Sequence, residues 1–121
     1  MELTFEEKSI LLFIARKSIE NIYIKEKLDF INLLEDHPIL SSKCGVFVTL
    51  TKNKRLRGCI GYITSDDPLF ITLSNAAVEA ARHDSRFEEV KEEEIPELSL
   101  EISLLSEPFP MKNYEEIELG K

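Results

Sequence analysis

Residues 45–63 read GVFVTLTKNKRLRGCIGYI and predict a β-hairpin. The first half is rich in β-branched and aromatic residues, and a second apolar run follows a polar tip at Asn53 and Lys54. We therefore expect two antiparallel strands, Gly45 to Lys52 and Arg55 to Ile63.

The segment before the hairpin predicts a helix. Thr4 to Glu7 fits a capping box, in which the Thr4 side chain and the Glu7 side chain each accept a backbone hydrogen bond from the other residue. Apolar positions then recur at helical spacing, so we extend the helix to about Lys25. Residues 28–42 contain His37-Pro38 and predict an irregular connection with one short helical turn.

The segment after the hairpin predicts a second helix and a third strand. Asp66 is the expected N-cap, with Pro68 in the first turn and the helix end near Arg82 or His83. Residues 85–96 are acidic and predict a loop. Alternating apolar and polar side chains then predict a strand with one buried face, at Leu98, Leu100, Ile102 and Leu104. The expected fold is a single α+β domain over residues 1–121, an antiparallel sheet with flanking helices.

Composition places the chain among soluble globular proteins. Its 121 residues are 43% hydrophobic and 31% charged, with no apolar run long enough for a membrane span. The first residues are acidic, unlike the basic start of a secretory signal. We expect a cytoplasmic protein that does not bind membranes.

The charge distribution argues against nucleic-acid binding. The net charge is -8, and residues 58–121 carry fifteen acidic against five basic side chains. One basic cluster stands out before the end of the hairpin: Lys52, Lys54, Arg55 and Arg57. It is either a site for a small anionic ligand or a charged hairpin tip that keeps the turn solvated.

The two cysteines are expected to be free thiols. A two-residue turn at the hairpin tip places Cys59 opposite Val48, so Cys44 lies about 13 Å further along the first strand. Disulfide geometry requires Cα atoms within roughly 7 Å. Free thiols also fit a reducing compartment.

The hexad Leu56-Arg57-Gly58-Cys59-Ile60-Gly61 is the main candidate site. Strict alternation along a strand puts Arg57, Cys59 and Gly61 on one face, where the guanidinium would favour the thiolate of Cys59. Gly61 would leave bare backbone beside the sulfur for a ligand. The alternative is structural: free cysteine often packs as a small hydrophobe, and glycine in a strand can mark a bulge or a close crossing.

A nucleophilic cysteine needs a base, and the candidates are His83, Asp84 and Glu79. The alternative interpretation is that His83 complements a helix C-terminus and Asp84 pairs locally with Arg86. The cysteines and histidines lack metal-ligand spacing, and no glycine-rich phosphate loop is present, so we predict neither a metal nor a nucleotide cofactor.

The hexad, together with the preceding run GVFVTL, resembles the AMMECR domain family. The resemblance extends over nearly the whole chain, through Ala15-Arg16, Asn75-Ala76, Asp84-Ser85-Arg86-Phe87 and residues 100–105. It implies a small α+β fold with the hexad near a cleft, and it adds Asn75 and Arg86 to the hexad as candidate binding residues.

The resemblance also implies partners. Bacterial and archaeal members are called AmmeMemoRadiSam system protein A, a name that records genomic association with a Memo-like protein and a radical S-adenosylmethionine (SAM) enzyme. We therefore expect a binding or accessory component whose hexad contacts such a partner. The alternative is a cysteine-dependent enzyme with Cys59 as nucleophile or redox centre and Arg57, His83 and Asp84 in supporting roles.

Relatives in this family continue past the position of Gly120 with further apolar strands. The resemblance thus implies that the chain is short at its C-terminus. Either it is a truncated form, or a second copy completes the sheet and an oligomer forms.

Overall fold

A computed structural model describes residues 3–25 and 31–105. In chain order, the elements are helix α1 (Phe5–Glu20), helix α2 (Ile31–Asp36), a first 3₁₀ helix (Pro38–Ser41), strands β1 (Gly45–Lys52) and β2 (Arg55–Tyr62), helix α3 (Leu69–Arg82), a second 3₁₀ helix (Glu92–Glu97) and strand β3 (Leu98–Leu105). Residues 106–121, which include the C-terminal end where the chain is expected to be shorter than its relatives, lie outside the described residues.

The predicted α+β class is confirmed. The strands form one antiparallel sheet in the order β2-β1-β3, with β1 in the centre. The hairpin turn is at Asn53 and Lys54, whose φ angles of 53° and 66° are in the left-handed region. Two successive residues in that region are typical of the type I′ turn, whose twist matches that of the strands it joins.

The core lies between one face of the sheet and helices α1 and α3. Val46, Val48 and Leu50 alternate along β1 and are fully buried. Helix α3 packs closely on the strands because its inward face consists largely of small side chains, Ala76, Ala77, Ala80 and Ala81. The third strand follows the predicted alternation, although Leu100, Ile102 and Leu104 are only half-buried.

Helix α1 begins as predicted but ends earlier. The capping box forms, with the Glu7 amide 3.0 Å from Thr4 Oγ1 and the Thr4 amide 2.9 Å from Glu7 Oε1. The helix stops at Glu20 rather than Lys25, and a turn follows. Within that turn the Tyr23 hydroxyl donates to the carbonyl of Val90, a tertiary contact that helical periodicity does not reveal.

Helix α3 starts later than predicted. Asp66 is not its N-cap; the helix begins at Leu69, directly after Pro68. The preceding residues form their own turn, in which the Asp67 amide donates to Ser65 Oγ at 3.0 Å. The predicted end near Arg82 is confirmed. No helix in the described part of the chain is long and apolar enough to cross a membrane.

Candidate functional site around Cys59

A β-bulge at Arg57 changes the geometry of the hexad. Near the turn, Lys52 pairs with Arg55 and Thr51 with Leu56, as predicted, but Leu50 then pairs with Gly58. Arg57 is therefore an extra residue in β2. The predicted pairing of Cys59 with Val48 is wrong, because the bulge shifts the register by one and places Cys59 opposite Thr49.

The two hexad glycines serve close packing and do not form the floor of a groove. A Cβ atom on Gly58 would overlap the backbone carbonyl of Ala80 in α3, so a side chain here would push the helix off the sheet. A Cβ on Gly61 would overlap the ring of Phe47, its cross-strand partner. The expectation of bare backbone beside the sulfur is therefore wrong: an aromatic ring covers Gly61.

Cys59 is half-buried, and its side chain and main chain are both engaged. Its Sγ lies 3.3 Å from the Thr49 hydroxyl oxygen, on the face of the sheet away from Val48. Its amide, on the outer edge of β2, donates to Asp84 Oδ2 at 3.0 Å. A side-chain carboxylate thus takes the place that a neighbouring strand would have at this point of the edge.

Asp84 is a buried anchor. It is only 7% exposed. It also accepts two hydrogen bonds from the Arg86 guanidinium: Nε donates to Oδ1 at 3.0 Å and Nη2 donates to Oδ2 at 2.7 Å. Side-chain hydrogen bonds from Arg86, followed by amide hydrogen bonds from Arg86 and Cys59, hold the pKa of Asp84 well below its usual range against the opposing effect of burial. A carboxylate with so low a pKa is a poor proton acceptor at neutral pH.

Arg86 is the cation beside Cys59. Its guanidinium and the Cys59 amide share one oxygen, Oδ2 of Asp84. The hydrogen bond to Asp84 chiefly raises the pKa of Arg86, and the negative charge of an ionised Cys59 contributes in the same direction. We refer to Thr49, Cys59, Asp84 and Arg86 as the Cys59 site.

The Arg57 side chain binds Glu94 and the Glu88 carbonyl and does not contact Cys59 in the described interactions. Its Nε and Nη2 donate to Glu94 at 3.1 Å each, and Nη1 donates to the carbonyl of Glu88 at 2.7 Å. Lys52 shares Glu94 at 3.2 Å. Since Lys52 and Thr49 point to opposite faces of β1, the bulge has removed Arg57 from the face of Cys59, contrary to the prediction from strict alternation.

Two residues of the basic cluster, Lys52 and Arg57, therefore bind a carboxylate of the same chain, that of Glu94. Hydrogen bonds from Arg57, and then from the Lys91 amide and Lys52, lower the pKa of Glu94 from 4.5 to about 2 while burial opposes the shift. Lys52 and Arg57 thus clamp the second 3₁₀ helix to the hairpin. Lys54 and Arg55 remain exposed at the turn.

This clamp predicts an acid-dependent loss of stability. Because the pKa of Glu94 is lowered on folding, its contribution is complete above pH 4.5 and disappears as the pH falls toward 2. Allowing for partial solvent screening, we expect the free energy of unfolding at pH 6 to be about 2 kcal/mol lower for Glu94→Gln than for wild type. Urea unfolding of both proteins from pH 6 to pH 2 should show the difference shrinking; a constant difference would contradict the assignment.

His83, Glu79 and Asn75 do not join the Cys59 site through any described contact. His83 Nδ1 lies 2.9 Å from Glu79 Oε2, one helical turn back, and its side chain is 55% exposed. Asn75 is exposed on α3. Of the three candidate bases, the structure places only Asp84 against Cys59, and it does so through the backbone amide.

Two described clefts lie away from the hexad. One, of about 290 Å³, separates α1 from β3 and is lined by residues that include Leu11 and Leu100. The other, of about 250 Å³, lies beyond the end of β2, beside Cys44, Gly45 and Ile63. Neither of these two clefts is lined by a residue of the hexad.

Both cysteines are free, as predicted. Cys44 is 3% exposed, and burial raises the pKa of its thiol. Within residues 3–25 and 31–105, no three or more His, Cys, Asp or Glu side chains are arranged to hold a metal ion.

Sequence reasoning missed Thr49 and Glu94. Thr49 would have followed from cross-strand pairing if the bulge had been recognised, and the paired glycines were the available signal. Glu94 is one of several acidic residues in a row, and nothing in that run distinguishes it from Glu92 or Glu93.

Comparison with known proteins gives a consistent assignment. A profile of the family described as AMMECR1 matches residues 12–121. Protein Mbar_A1807 of Methanosarcina barkeri is 39% identical over 115 residues, which cover 89% of this chain and 57% of the relative. Protein SSO0193 of Saccharolobus solfataricus is 38% identical over 124 residues, which cover 99% of this chain and 54% of the relative.

The same fold occurs in a solved structure. The crystal structure of the uncharacterized protein PH0010 from Pyrococcus horikoshii matches with a TM-score of 0.69 and 36% identity, over 78% of this chain and 49% of that one. The chain spans about half the length of the relatives it matches. The resemblance inferred from the hexad is confirmed, and the chain belongs to the AMMECR1 family.

Proposed function

We propose that the protein is a binding or accessory component that works with a Memo-like protein and a radical SAM enzyme, and that the Cys59 site is its contact surface. The family resemblance implies these partners. The observation that carries the proposal is the position of Asp84, which fixes the hexad backbone and a solvent-facing arginine at once.

The hydrogen bonds and ion pairs already made by the candidate catalytic side chains favour a binding role over a catalytic one. Arg57 is bound to Glu94, His83 is paired with Glu79, and Asp84 remains a carboxylate engaged by several donors. A cysteine nucleophile needs a group that accepts its proton, and none of these three is placed to do so in the described contacts. A surface whose polar groups are held in fixed positions is instead suited to protein recognition.

The test is binding of the purified chain to the Memo-like protein, and separately to the radical SAM enzyme, encoded in the same genome. We expect Arg86→Ala to weaken binding at least about tenfold, in the range of an interface hot spot. Arg55→Ala is the matched control, since Arg55 is an exposed arginine at the hairpin turn. Urea unfolding of each variant separates lost binding from lost folding. Absence of binding by the wild-type chain to both proteins would refute the proposal.

One observation favours a second candidate, a cysteine-dependent enzyme. Thr49 offers a hydroxyl to the sulfur of Cys59, and Arg86 supplies the nearby positive charge that the sequence had assigned to Arg57. Under this hypothesis Cys59 reacts with iodoacetamide faster than glutathione does at pH 7, as mass spectrometry of the labelled peptide would show. Buried Cys44 is the internal control. A Cys59 rate no higher than that of glutathione would exclude this candidate.

A further inference from the structure

The guanidinium of Arg86 is only half used by its buried partner. Asp84 accepts from Nε and Nη2, which form one edge of the planar fork. A guanidinium carries five N–H donors, so the edge formed by Nη1 and the second hydrogen of Nη2 remains. Within the described residues, Nη1 has no hydrogen-bond acceptor, and the side chain is 57% exposed.

The free edge is held in a defined orientation. Two hydrogen bonds to a carboxylate that is itself 7% exposed fix the plane of the guanidinium, and the ring of Phe87 lies 5.3 Å from its central carbon. Such anchoring reduces the conformational entropy that an exposed arginine loses on binding.

We propose that this free edge of Arg86 binds a carboxylate group, in a bidentate contact at the margin of the Cys59 site. A planar carboxylate presents two oxygens at the spacing of two parallel N–H groups. A carboxylate monoanion is favoured over a phosphate dianion, because Asp84 already pairs with Arg86 and residues 58–121 carry fifteen acidic against five basic side chains, so electrostatic repulsion rises with the charge of the ligand. This inference rests on the proposed function only in taking the Cys59 site as the ligand-facing surface.

The test uses the chain alone, so it is independent of any partner protein. The Nε–Hε resonances of arginine are followed by NMR in protein labelled with ¹⁵N-arginine, during titration with sodium acetate, with sodium chloride at equal ionic strength and with inorganic phosphate. Arg55 is the control. We expect a saturating response of Arg86 to acetate that is several-fold larger than the response of Arg55 and absent with chloride.

Arg86→Lys provides a second readout, because lysine keeps the charge but cannot form the bidentate contact. In uniformly ¹⁵N-labelled wild-type protein, acetate should shift the backbone amide resonances of Phe87 and Cys59. In uniformly labelled Arg86→Lys protein these shifts should disappear. The inference is overturned if Arg86 and Arg55 respond alike, if chloride reproduces the acetate response, or if phosphate binds more tightly than acetate. A chain that binds acetate but neither partner protein would refute the proposed function and leave this site intact.

Discussion

Gly58→Ala is expected to destabilise the protein by about 3 kcal/mol, the upper part of the range for inserting a methyl group into a packed contact. The added Cβ would overlap the backbone carbonyl of Ala80, and a helix backbone cannot rotate away as a side chain can. Restoring clearance would require α3 to move off β2. Equilibrium unfolding in urea, monitored by circular dichroism, measures the loss.

Gly61→Ala is the matched control for this prediction. Its Cβ would overlap the ring of Phe47, which can change rotamer, so the expected loss is smaller. Equal losses for the two variants, or a Gly58→Ala protein as stable as wild type, would contradict the role assigned to Gly58.

Asp84→Ala is expected to lower the free energy of unfolding by about 3 kcal/mol, as for Gly58→Ala. The substitution leaves a backbone donor and a charged group without their acceptor. The Cys59 amide loses the hydrogen bond at the outer edge of β2, and Arg86 loses its anchor. Asp84→Asn should be intermediate, since an amide oxygen can still accept from Cys59. Urea unfolding gives the stabilities, and hydrogen exchange of the Cys59 amide reports on the edge directly.

Arg86→Ala separates the two contributions of Asp84. It removes the ion pair but leaves the carboxylate on the Cys59 amide, so it should cost less than Asp84→Ala and leave the exchange of that amide slow. If Arg86→Ala and Asp84→Ala are equally destabilising and equally expose the amide, the carboxylate does not act through the backbone of Cys59.

The parts of the fold that local chemistry determines could be predicted from the sequence. The hairpin follows from two β-rich runs around a turn, and the capping box of Thr4 and Glu7 needs only residues three apart. The alternation of β3 similarly specifies a strand with two different faces. Family membership was also recognisable, because the hexad is distinctive.

The predictions that were wrong concern features that depend on contacts between residues distant in sequence. The bulge at Arg57 arises where Gly58 lies against Ala80 and where Arg57 reaches Glu94, and neither partner is near in sequence. The early end of α1 coincides with the contact between Tyr23 and Val90. Strict alternation assigned the wrong arginine to Cys59 for the same reason: one extra residue in a strand reverses the faces that follow it.

The central place of β1 has a consequence for the order of assembly. Its neighbour β2 follows after a turn of two residues, whereas β3 begins at Leu98, after the whole of α3. A short loop closes quickly and a long one slowly. The β1–β2 hairpin can therefore form early, whereas β3 pairs with β1 only after α3 has packed on the hairpin. Until then one edge of β1 is unpaired, and the nascent chain is most vulnerable to aggregation at that stage.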